Sequence, residues 1–213
     1  MMCHNPATPP YLAALPVQVY QKGQALYGDG EPYRGPLVIL AGAVKRYLVT
    51  DEGDARVTGF FLPGEWLGLE GLPSGPCSGY ALALDTCCVR WIPSSMLTEL
   101  LRVQQGRHAI LFQMSDAIRK NKIRYQQMSQ LRADARLACF ILELSDRIRR
   151  PGISKREFRL PMSRGDIANY LGLSSETVSR AMAHFERLGI LRLRKRYITL
   201  LLPDTLNVLS EGG

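Results

Sequence analysis

Apolar and polar positions follow two different periods along this chain. Between residues 17 and 92, short apolar and polar runs alternate, and glycine interrupts them every several residues. Alternation with a period of two predicts half-buried strands, and such closely spaced turns are typical of an antiparallel barrel or jelly roll. From residue 94 onward the period changes to 3.6, which predicts helices. The pattern therefore predicts an α+β protein with its strands first and its helices after them.

The strand region begins after an irregular arm. Residues 1–16 contain several prolines and little periodicity, so they predict no regular element. Apolar runs then predict strands at Leu37–Leu40, Val44–Val49 and Val57–Leu62. Residues 50–54, with the sequence TDEGD, predict a hairpin turn between the last two of these strands.

The helical region opens with one or two short helices at residues 98–107 and a long helix at residues 109–132. Six positions along the long helix are spaced 3, 4, 3, 4 and 3 residues apart: Leu111, Met114, Ile118, Asn121, Tyr125 and Met128. This is the spacing of a coiled-coil seam, in which a central asparagine fixes register and dimer state. Packing on the preceding β-domain accounts for part of such a helix, but its length and flanking basic residues favour the axis of a homodimer.

Residues 163–189 predict two short helices joined by a tight turn. Ser163 can cap the first helix, with Asp166 as the acidic partner of a capping box. Gly172 suits the sharp reversal that follows, and either Ser174 or Ser175 can cap the second helix. The spacing predicts a helix-turn-helix, whose second helix enters a DNA major groove. The alternative is an ordinary helical hairpin with a solvated polar face.

The polar face of the second helix carries residue types that read bases. Glutamate accepts from cytosine N4, arginine binds guanine O6 and N7, and serine contacts bases or backbone. The predicted base-contacting residues are Glu176, Ser179 and Arg180. The predicted backbone-contacting residues are Ser163, Arg164, Ser174, Ser175 and Thr177.

Other parts of the C-terminal region complete a winged domain. Apolar residues from position 137 to 144 predict the core face of its first helix, and residues 158–161 predict a short strand. Residues 191–200 alternate apolar and basic residues around a turn at Arg194–Arg196, which predicts a β-wing. The basic tip of this wing can contact phosphates, although a merely solvated hairpin fits the pattern equally well.

The net positive charge lies in residues 94–213, which include the predicted helix-turn-helix. The formal net charge is +8 overall; residues 1–93 carry 6 basic and 8 acidic residues, residues 94–132 carry 7 and 2, and residues 133–213 carry 14 and 9. Such a distribution favours double-stranded DNA as the partner. A membrane surface would attract the same charge, but no amphipathic basic anchor, spanning run or signal peptide is evident. We therefore expect a cytoplasmic protein without a membrane partner.

No catalytic constellation stands out, so the sequence predicts no enzyme. A cupin-type enzyme would need a histidine and glutamate metal set inside the barrel, and residues 15–93 contain no histidine. The five cysteines are scattered, form no CxxC pair and indicate a reducing compartment: Cys3, Cys77, Cys87, Cys88 and Cys139. Cys87 and Cys88 are neighbours on a predicted strand and should point to opposite faces.

The helix-turn-helix residues also carry a family resemblance. The stretch RGDIANYLGL at positions 164–173, followed by ETVSR at 176–180, resembles the helix-turn-helix of the FNR branch of the CRP/FNR regulators. The resemblance implies a double-stranded β-roll sensor domain at 17–108, a dimerisation helix at 109–132 and a winged helix-turn-helix domain at 133–213. It further implies RNA polymerase as a partner and half-sites of the type TTGAT arranged as an inverted repeat.

The same resemblance implies three classes of input, and the residues here depart from each. Cyclic-nucleotide members have an Arg-Ser pair that neutralises the phosphate, and here the pair reads Cys77-Ser78. Iron–sulfur members have three N-terminal cysteines and one late cysteine; here Cys3 stands alone and Arg90 occupies the late position. Some members of the family bind haem, and the candidate axial ligands in this chain are His4 near Cys3, His108 and Cys77.

We predict no cofactor, with gating by haem or another small effector as the alternative. An alternative of another class is a β-roll module that docks a partner protein.

Overall fold

The computed structural model describes residues 12–72, 75–148 and 157–211, in two compact units, Met1–Lys120 and Asn121–Gly213. The described residues of the first unit form eight strands: β1 (Gln18–Tyr20), β2 (Ala25–Tyr27), β3 (Leu37–Ala41), β4 (Val44–Val49), β5 (Ala55–Phe61), β6 (Trp66–Leu67), β7 (Tyr80–Ala83) and β8 (Cys87–Trp91). They form two antiparallel four-stranded sheets, in the orders β1-β8-β3-β6 and β2-β7-β4-β5. The predicted β-roll is confirmed, whereas Cys3, His4 and most of the predicted arm lie outside the described residues.

The core of this unit forms because successive side chains along each strand point to opposite faces of its sheet. Side chains from both sheets meet in one buried cluster that includes Leu37, Val44 and Cys87. Cys88, the next residue along β8, points the other way, as predicted, and packs partly buried on a second cluster. That second cluster joins Val38 of β3 to the apolar side chains of the following helices, so those helices cover one face of the roll.

The hairpin turn at residues 50–54 forms as the sequence predicts. The Thr50 amide donates to the Asp54 carbonyl at 2.9 Å, and the Gly53 amide donates to the Thr50 carbonyl at 2.8 Å. Gly53 has φ +84°, a left-handed value that glycine adopts without a Cβ clash. The turn pairs β4 with β5 from Val49 and Ala55 onward.

The two helices that follow the β-roll start earlier than predicted. Helix α1 spans Ser94–Arg102 and α2 spans Gln104–Gln130, so the long helix begins five residues before the expected position 109. Val103 is extended and separates the two helices. Gly106 lies buried inside α2, against the backbone of Leu100, where any Cβ would collide. Gly106 weakens the helical pattern of the sequence, but the close approach of the Leu100 backbone requires a residue without a Cβ at this position.

One side of α2 is fixed to the β-roll by charge. Lys120 Nζ lies 2.9 Å from Glu65 Oε1 and 2.7 Å from Asp116 Oδ2. Burial alone would raise the pKa of Asp116, but hydrogen bonds from Lys120 and Arg119 hold it below its ordinary value. The carboxylate therefore stays ionised, and this side of α2 faces its own unit.

The second unit is a winged helical domain. Its elements are α3 (Ala133–Ile148), β9 (Glu157–Arg159), α4 (Arg164–Leu171), α5 (Ser175–Arg187), β10 (Leu191–Arg194), β11 (Tyr197–Leu200) and α6 (Pro203–Ser210). The three strands form an antiparallel sheet in the order β10-β11-β9. The predicted core face of α3 is buried. Cys139, on the same helix, is partly buried, and its Sγ lies 3.4 Å from the Ser210 carbonyl.

Helix α4 begins and ends at the predicted residues. The Asp166 amide donates to Ser163 Oγ at 3.0 Å, and the Ser163 amide donates to Asp166 Oδ2 at 3.1 Å, which completes a capping box. At the other end Gly172 adopts φ +65°, and the Leu173 amide donates to the Ala168 carbonyl at 2.9 Å. The reversal therefore satisfies the last carbonyls of α4 in the way a left-handed glycine cap does.

Helix α5 is capped by Ser174 and not by Ser175. The Thr177 amide donates to Ser174 Oγ at 3.0 Å, and the two hydroxyls of this pair lie 2.9 Å apart. Val178, Met182 and Phe185 are fully buried, as their spacing predicts. Cap and core together fix both the start of α5 and its rotation about its own axis.

The Ser174 cap gives a first prediction. Replacing Ser174 with alanine should destabilise α5 by about 1 kcal/mol, because one amide loses its acceptor. Amide hydrogen exchange in the first turn of α5 should then be about fivefold faster in the full-length protein. Ser175→Ala is the matched control and should leave exchange unchanged. Equal acceleration in both variants would contradict the assignment of the cap.

Candidate nucleic-acid interface

The outer face of α5 presents the three predicted base-reading residues together. Glu176 and Arg180 have 78% and 72% of their side chains exposed, and Ser179 lies between them, half-buried. Arg180 Nη1 is 3.9 Å from Glu176 Oε1. An exposed ion pair at this distance contributes little free energy. Breaking it so that each side chain can contact a base edge would therefore cost little.

The predicted backbone-contacting residues surround the N-terminal ends of α4 and α5. Arg164 and Ser175 are exposed at the first position of each helix. Ser163 and Ser174 are also exposed, but their hydroxyls already accept the capping hydrogen bonds. Thr177 is half-buried beside Ser174. The structure thus brings all five residues to two helix N-termini, where amides and the helix dipole favour a phosphate.

The wing is connected to this motif by two side chains that the sequence analysis missed. The Leu193 amide of β10 donates to Glu186 Oε1 of α5 at 2.8 Å. Arg196 Nη1 lies 3.4 Å from the Pro161 carbonyl, just before α4. Of the three basic residues at the predicted tip, only Arg194 and Lys195 are therefore directed outward, while Arg196 holds the hairpin in place.

The C-terminal end of α2 packs on the helix-turn-helix. Arg136 donates through Nε to the Leu131 carbonyl at 2.9 Å and through Nη1 to the Leu171 carbonyl at 3.3 Å, so one guanidinium caps two chain segments. The Arg124 guanidinium lies 4.9 Å from the centre of the Tyr170 ring, a cation–π distance. These contacts fix the position of α4 relative to the last turns of the long helix.

The β-roll contains a cavity of about 200 Å³. Aromatic side chains contribute much of its lining, together with Glu70 and the thiol of Cys77. Burial, followed by the nearby carboxylates Glu31 and Glu70, raises the pKa of the Cys77 thiol, so the sulfur stays protonated. No lysine or arginine is among the described residues that line the cavity.

The nearest guanidinium to Glu70 is already engaged. Arg46 Nη1 lies 2.8 Å from Glu70 Oε1, and Arg46 Nη2 donates to the Ser78 carbonyl at 3.2 Å. The contacts of Arg46 with Glu70 and Ser78 would have to break before that guanidinium could bind an anionic ligand.

Within residues 12–72, 75–148 and 157–211, no group of three or more His, Cys, Asp or Glu side chains is placed to hold a metal ion. His108 is exposed on α2, and Cys77 lies in the cavity, far along the chain from it. Arg90, at the position of the expected late cysteine, donates through Nε to the Leu15 carbonyl at 3.0 Å. In the described part of the chain, no helix has the length and apolarity that crossing a membrane requires.

Each of the two units matches a known domain family. The cyclic nucleotide-binding domain family matches residues 17–104, and the Crp-like helix-turn-helix domain family matches residues 135–209. The chain is 39% identical over 191 residues to the fumarate and nitrate reduction regulatory protein of Escherichia coli K12, covering 89% of this chain and 76% of that protein. It is 37% identical over 194 residues to electron transport regulator A of Shewanella oneidensis, covering 91% and 78%.

Solved structures agree with these matches. FixK2 from Bradyrhizobium japonicum superposes with a TM-score of 0.81 at 31% identity, over 92% of this chain and 97% of that one. TTHA1359 of Thermus thermophilus shares the fold, with a TM-score of 0.73 at 21% identity over 93% and 100%. The match to the helix-turn-helix family and the identity to regulatory proteins argue against a β-roll module that only docks proteins. The chain belongs to the CRP/FNR family of DNA-binding transcription regulators, which are not enzymes.

Proposed function

We propose that the chain acts as a homodimer that reads an inverted repeat of TTGAT half-sites. The observation that carries this proposal is the exposed face of α5, where Glu176, Ser179 and Arg180 stand on a helix fixed by its cap and its core. A TTGAT half-site contains one G·C pair, which offers a guanine to Arg180 and a cytosine amine to Glu176.

The residue before Glu176 supports this choice of half-site. Cyclic-AMP-type members of the family have an additional arginine there, which reads a further guanine. Ser175 occupies the position in this chain, and it is too short to reach the same base edge. The proposal is therefore a TTGAT-N4-ATCAA palindrome, with Ser163, Arg164, Ser174, Ser175 and Thr177 against the phosphates.

The dimer in this proposal forms along the long helix. Most of the seam is apolar and exposed in the single chain: Leu111 is 59% exposed, Ile118 68% and Tyr125 75%. Asn121 lies exposed among them. The side of α2 that faces the β-roll is a different one, defined by Lys120 and Glu65. Intrachain packing thus leaves the seam uncovered, and a second copy of the same seam is the occupant that two-fold symmetry supplies.

We further propose that DNA binding needs neither an iron–sulfur cluster nor a cyclic nucleotide, and that bound dimers act on RNA polymerase. The neutral Cys77 thiol and the engaged Arg46 argue against an anionic effector, and Arg90 has a structural contact in place of a cluster ligand. The β-roll cavity favours a second candidate, a regulator gated by a small uncharged effector or by haem, with Cys77 as the one described candidate ligand inside the cavity.

Base reading is tested by Arg180→Ala. The loss of contacts to guanine should cost about 1–3 kcal/mol per half-site and relax discrimination at the G·C pair. Binding-site selection followed by titration of G·C-substituted duplexes measures both effects. Arg164→Ala is the control, because a phosphate contact should weaken all sequences alike and flatten the salt dependence. A selection that returns no TTGAT palindrome would overturn the proposed specificity.

The dimer is tested by Ile118→Glu. Two buried, unpaired carboxylates at the seam should be expensive, so light scattering should report a monomer with weak DNA binding. Ile123→Glu introduces the same charge on the same helix, off the seam and at an exposed residue. That control should remain dimeric. If Ile118→Glu also remains dimeric, the seam is wrongly assigned.

The proposed absence of an iron–sulfur or haem cofactor is tested by the absorption spectrum of the protein and by its DNA affinity before and after exposure to air. Protein purified without oxygen should show no iron–sulfur or haem bands, and exposure to air should leave its affinity for the palindrome unchanged. Parallel samples incubated with iron and sulfide, with haem, or with cyclic AMP provide the comparison. A reconstituted cluster that DNA binding requires, or tight haem binding lost in Cys77→Ala, would show that the input is different.

A further inference from the structure

The segment between β2 and β3 is attached to the wall of the β-roll cavity. Residues 28–35 form neither strand nor helix, and we call them the strap. The Gly30 amide donates to the Cys77 carbonyl at 2.9 Å, and the Cys77 amide donates to the Glu31 carbonyl at 2.8 Å. Because Cys77 lines the cavity, these two hydrogen bonds attach the first half of the strap to one side of it.

Tyr33 attaches the second half of the strap to another side of the cavity. Its hydroxyl donates to the Gly68 carbonyl at 2.6 Å. Its ring lies so close to Gly71 that a Cβ there would be 2.6 Å from Cε2. Burial, followed by the Glu70 carboxylate, raises the pKa of Tyr33, so the phenol stays protonated and able to donate. Tyr33, Gly68 and Gly71 all line the cavity, so the phenol occupies space between the strap and the turn at residues 68–71.

The contacts of Tyr33 are those that a small aromatic ligand would make. Ligand cavities are mostly apolar and carry a few polar groups that fix the orientation of the ligand. Here the ring packs partly buried beside the apolar core, and one hydroxyl group makes the polar contact. The acceptor lies 35 residues away in the chain, so this hydrogen bond is a tertiary contact and not a local turn. A tethered ring also has a high effective concentration, which disfavours a free molecule that competes for the same place.

The turn that accepts from Tyr33 is connected to the long helix. Gly68 directly follows β6, and Glu65 directly precedes it. Glu65 Oε2 accepts from the Leu62 amide at 2.9 Å, and Glu65 Oε1 lies 2.9 Å from Lys120 Nζ on α2. Strand β6 is paired with β3, which limits its freedom to move. A displacement of the turn at Gly68 would therefore reach the ion pair that holds α2 against the β-roll.

We infer that Tyr33 is an intramolecular ligand of the β-roll cavity, which holds the turn at residues 68–71 and thereby the Glu65–Lys120 contact of α2. The phenol takes the place of a separate effector in keeping the β-roll and the dimer helix joined. This inference rests on the proposed function, in which DNA binding needs neither an iron–sulfur cluster nor a cyclic nucleotide. Tyr33 is then the side chain on which that independence depends.

Tyr33→Ala, together with p-cresol, which has the shape of the missing side chain, tests this inference in the full-length protein. Tyr33→Ala should bind the palindrome about 5- to 100-fold more weakly than the wild type, the usual range of coupling between sites. Added p-cresol should fill the vacated space, restore the affinity and raise the melting temperature of Tyr33→Ala. Tyr33→Phe keeps the ring and loses only the hydroxyl, so it should lose less affinity and gain nothing from p-cresol.

Tyr47→Ala is the matched control. Tyr47 stacks on Tyr80 at 5.1 Å and is not among the described residues that line the cavity, so p-cresol should not affect this variant. Lys120→Met tests the route to α2. If the route is shared, Tyr33→Ala should cost less affinity in the Lys120→Met background than in the wild type. Additive losses would contradict the inference.

The outcomes also separate this inference from the proposed function. Wild-type affinity of Tyr33→Ala without p-cresol would overturn the inference and leave the proposed function standing. Stabilisation of the wild type by p-cresol would overturn it too, because the cavity would then take a separate ligand beside Tyr33. If the wild type does not bind the palindrome, the proposed function fails, and the melting temperatures alone decide the inference. If Tyr33→Ala does not fold even with p-cresol, Tyr33→Phe decides it through the same comparison with Lys120→Met.

Discussion

The fixed geometry between α4 and α5 is the constraint on which the proposed DNA interface depends. Ala168 and Val178 are buried, so no larger side chain separates the two helices, and Gly172 reverses the chain at φ +65° without strain. Capping by Ser163 and Ser174 then fixes where each helix begins. A few ångströms of slip at any of these points would move Glu176 and Arg180 away from a common groove, because their reach is only one side-chain length.

Two arginine side chains connect the helix-turn-helix to the C-terminal end of the long helix. Arg136 holds the Leu131 and Leu171 carbonyls together, and Arg124 lies over Tyr170. In a dimer built on the proposed seam, the ends of the two long helices would set the separation of the two recognition helices. Half-site spacing would then follow from these side-chain contacts as much as from the seam itself.

Local signals explain which parts could be predicted from sequence. The capping box, the turn glycine and the TDEGD hairpin depend on residues close together in the chain, and their positions were predicted correctly. The start of α2 at Gln104 was missed because Gly106 reads as a weak helix former until its packing on Leu100 is known. The contacts of Arg196 with Pro161 and of Arg136 with Leu171 were missed because each joins residues 35 positions apart. Charge and length alone give no sign of such long-range hydrogen bonds.

The proposed absence of an anionic effector depends on the lining of the β-roll cavity. A cavity remains between the sheets, but its lining offers aromatic rings, a protonated thiol and a carboxylate. The nearby cation Arg46 is already committed to Glu70 and to the Ser78 carbonyl. A phosphate that binds Arg46 here would have to displace the carboxylate of Glu70 from it. An uncharged ligand would leave that ion pair intact, which is why the cavity supports the second candidate, a regulator gated by a small uncharged effector.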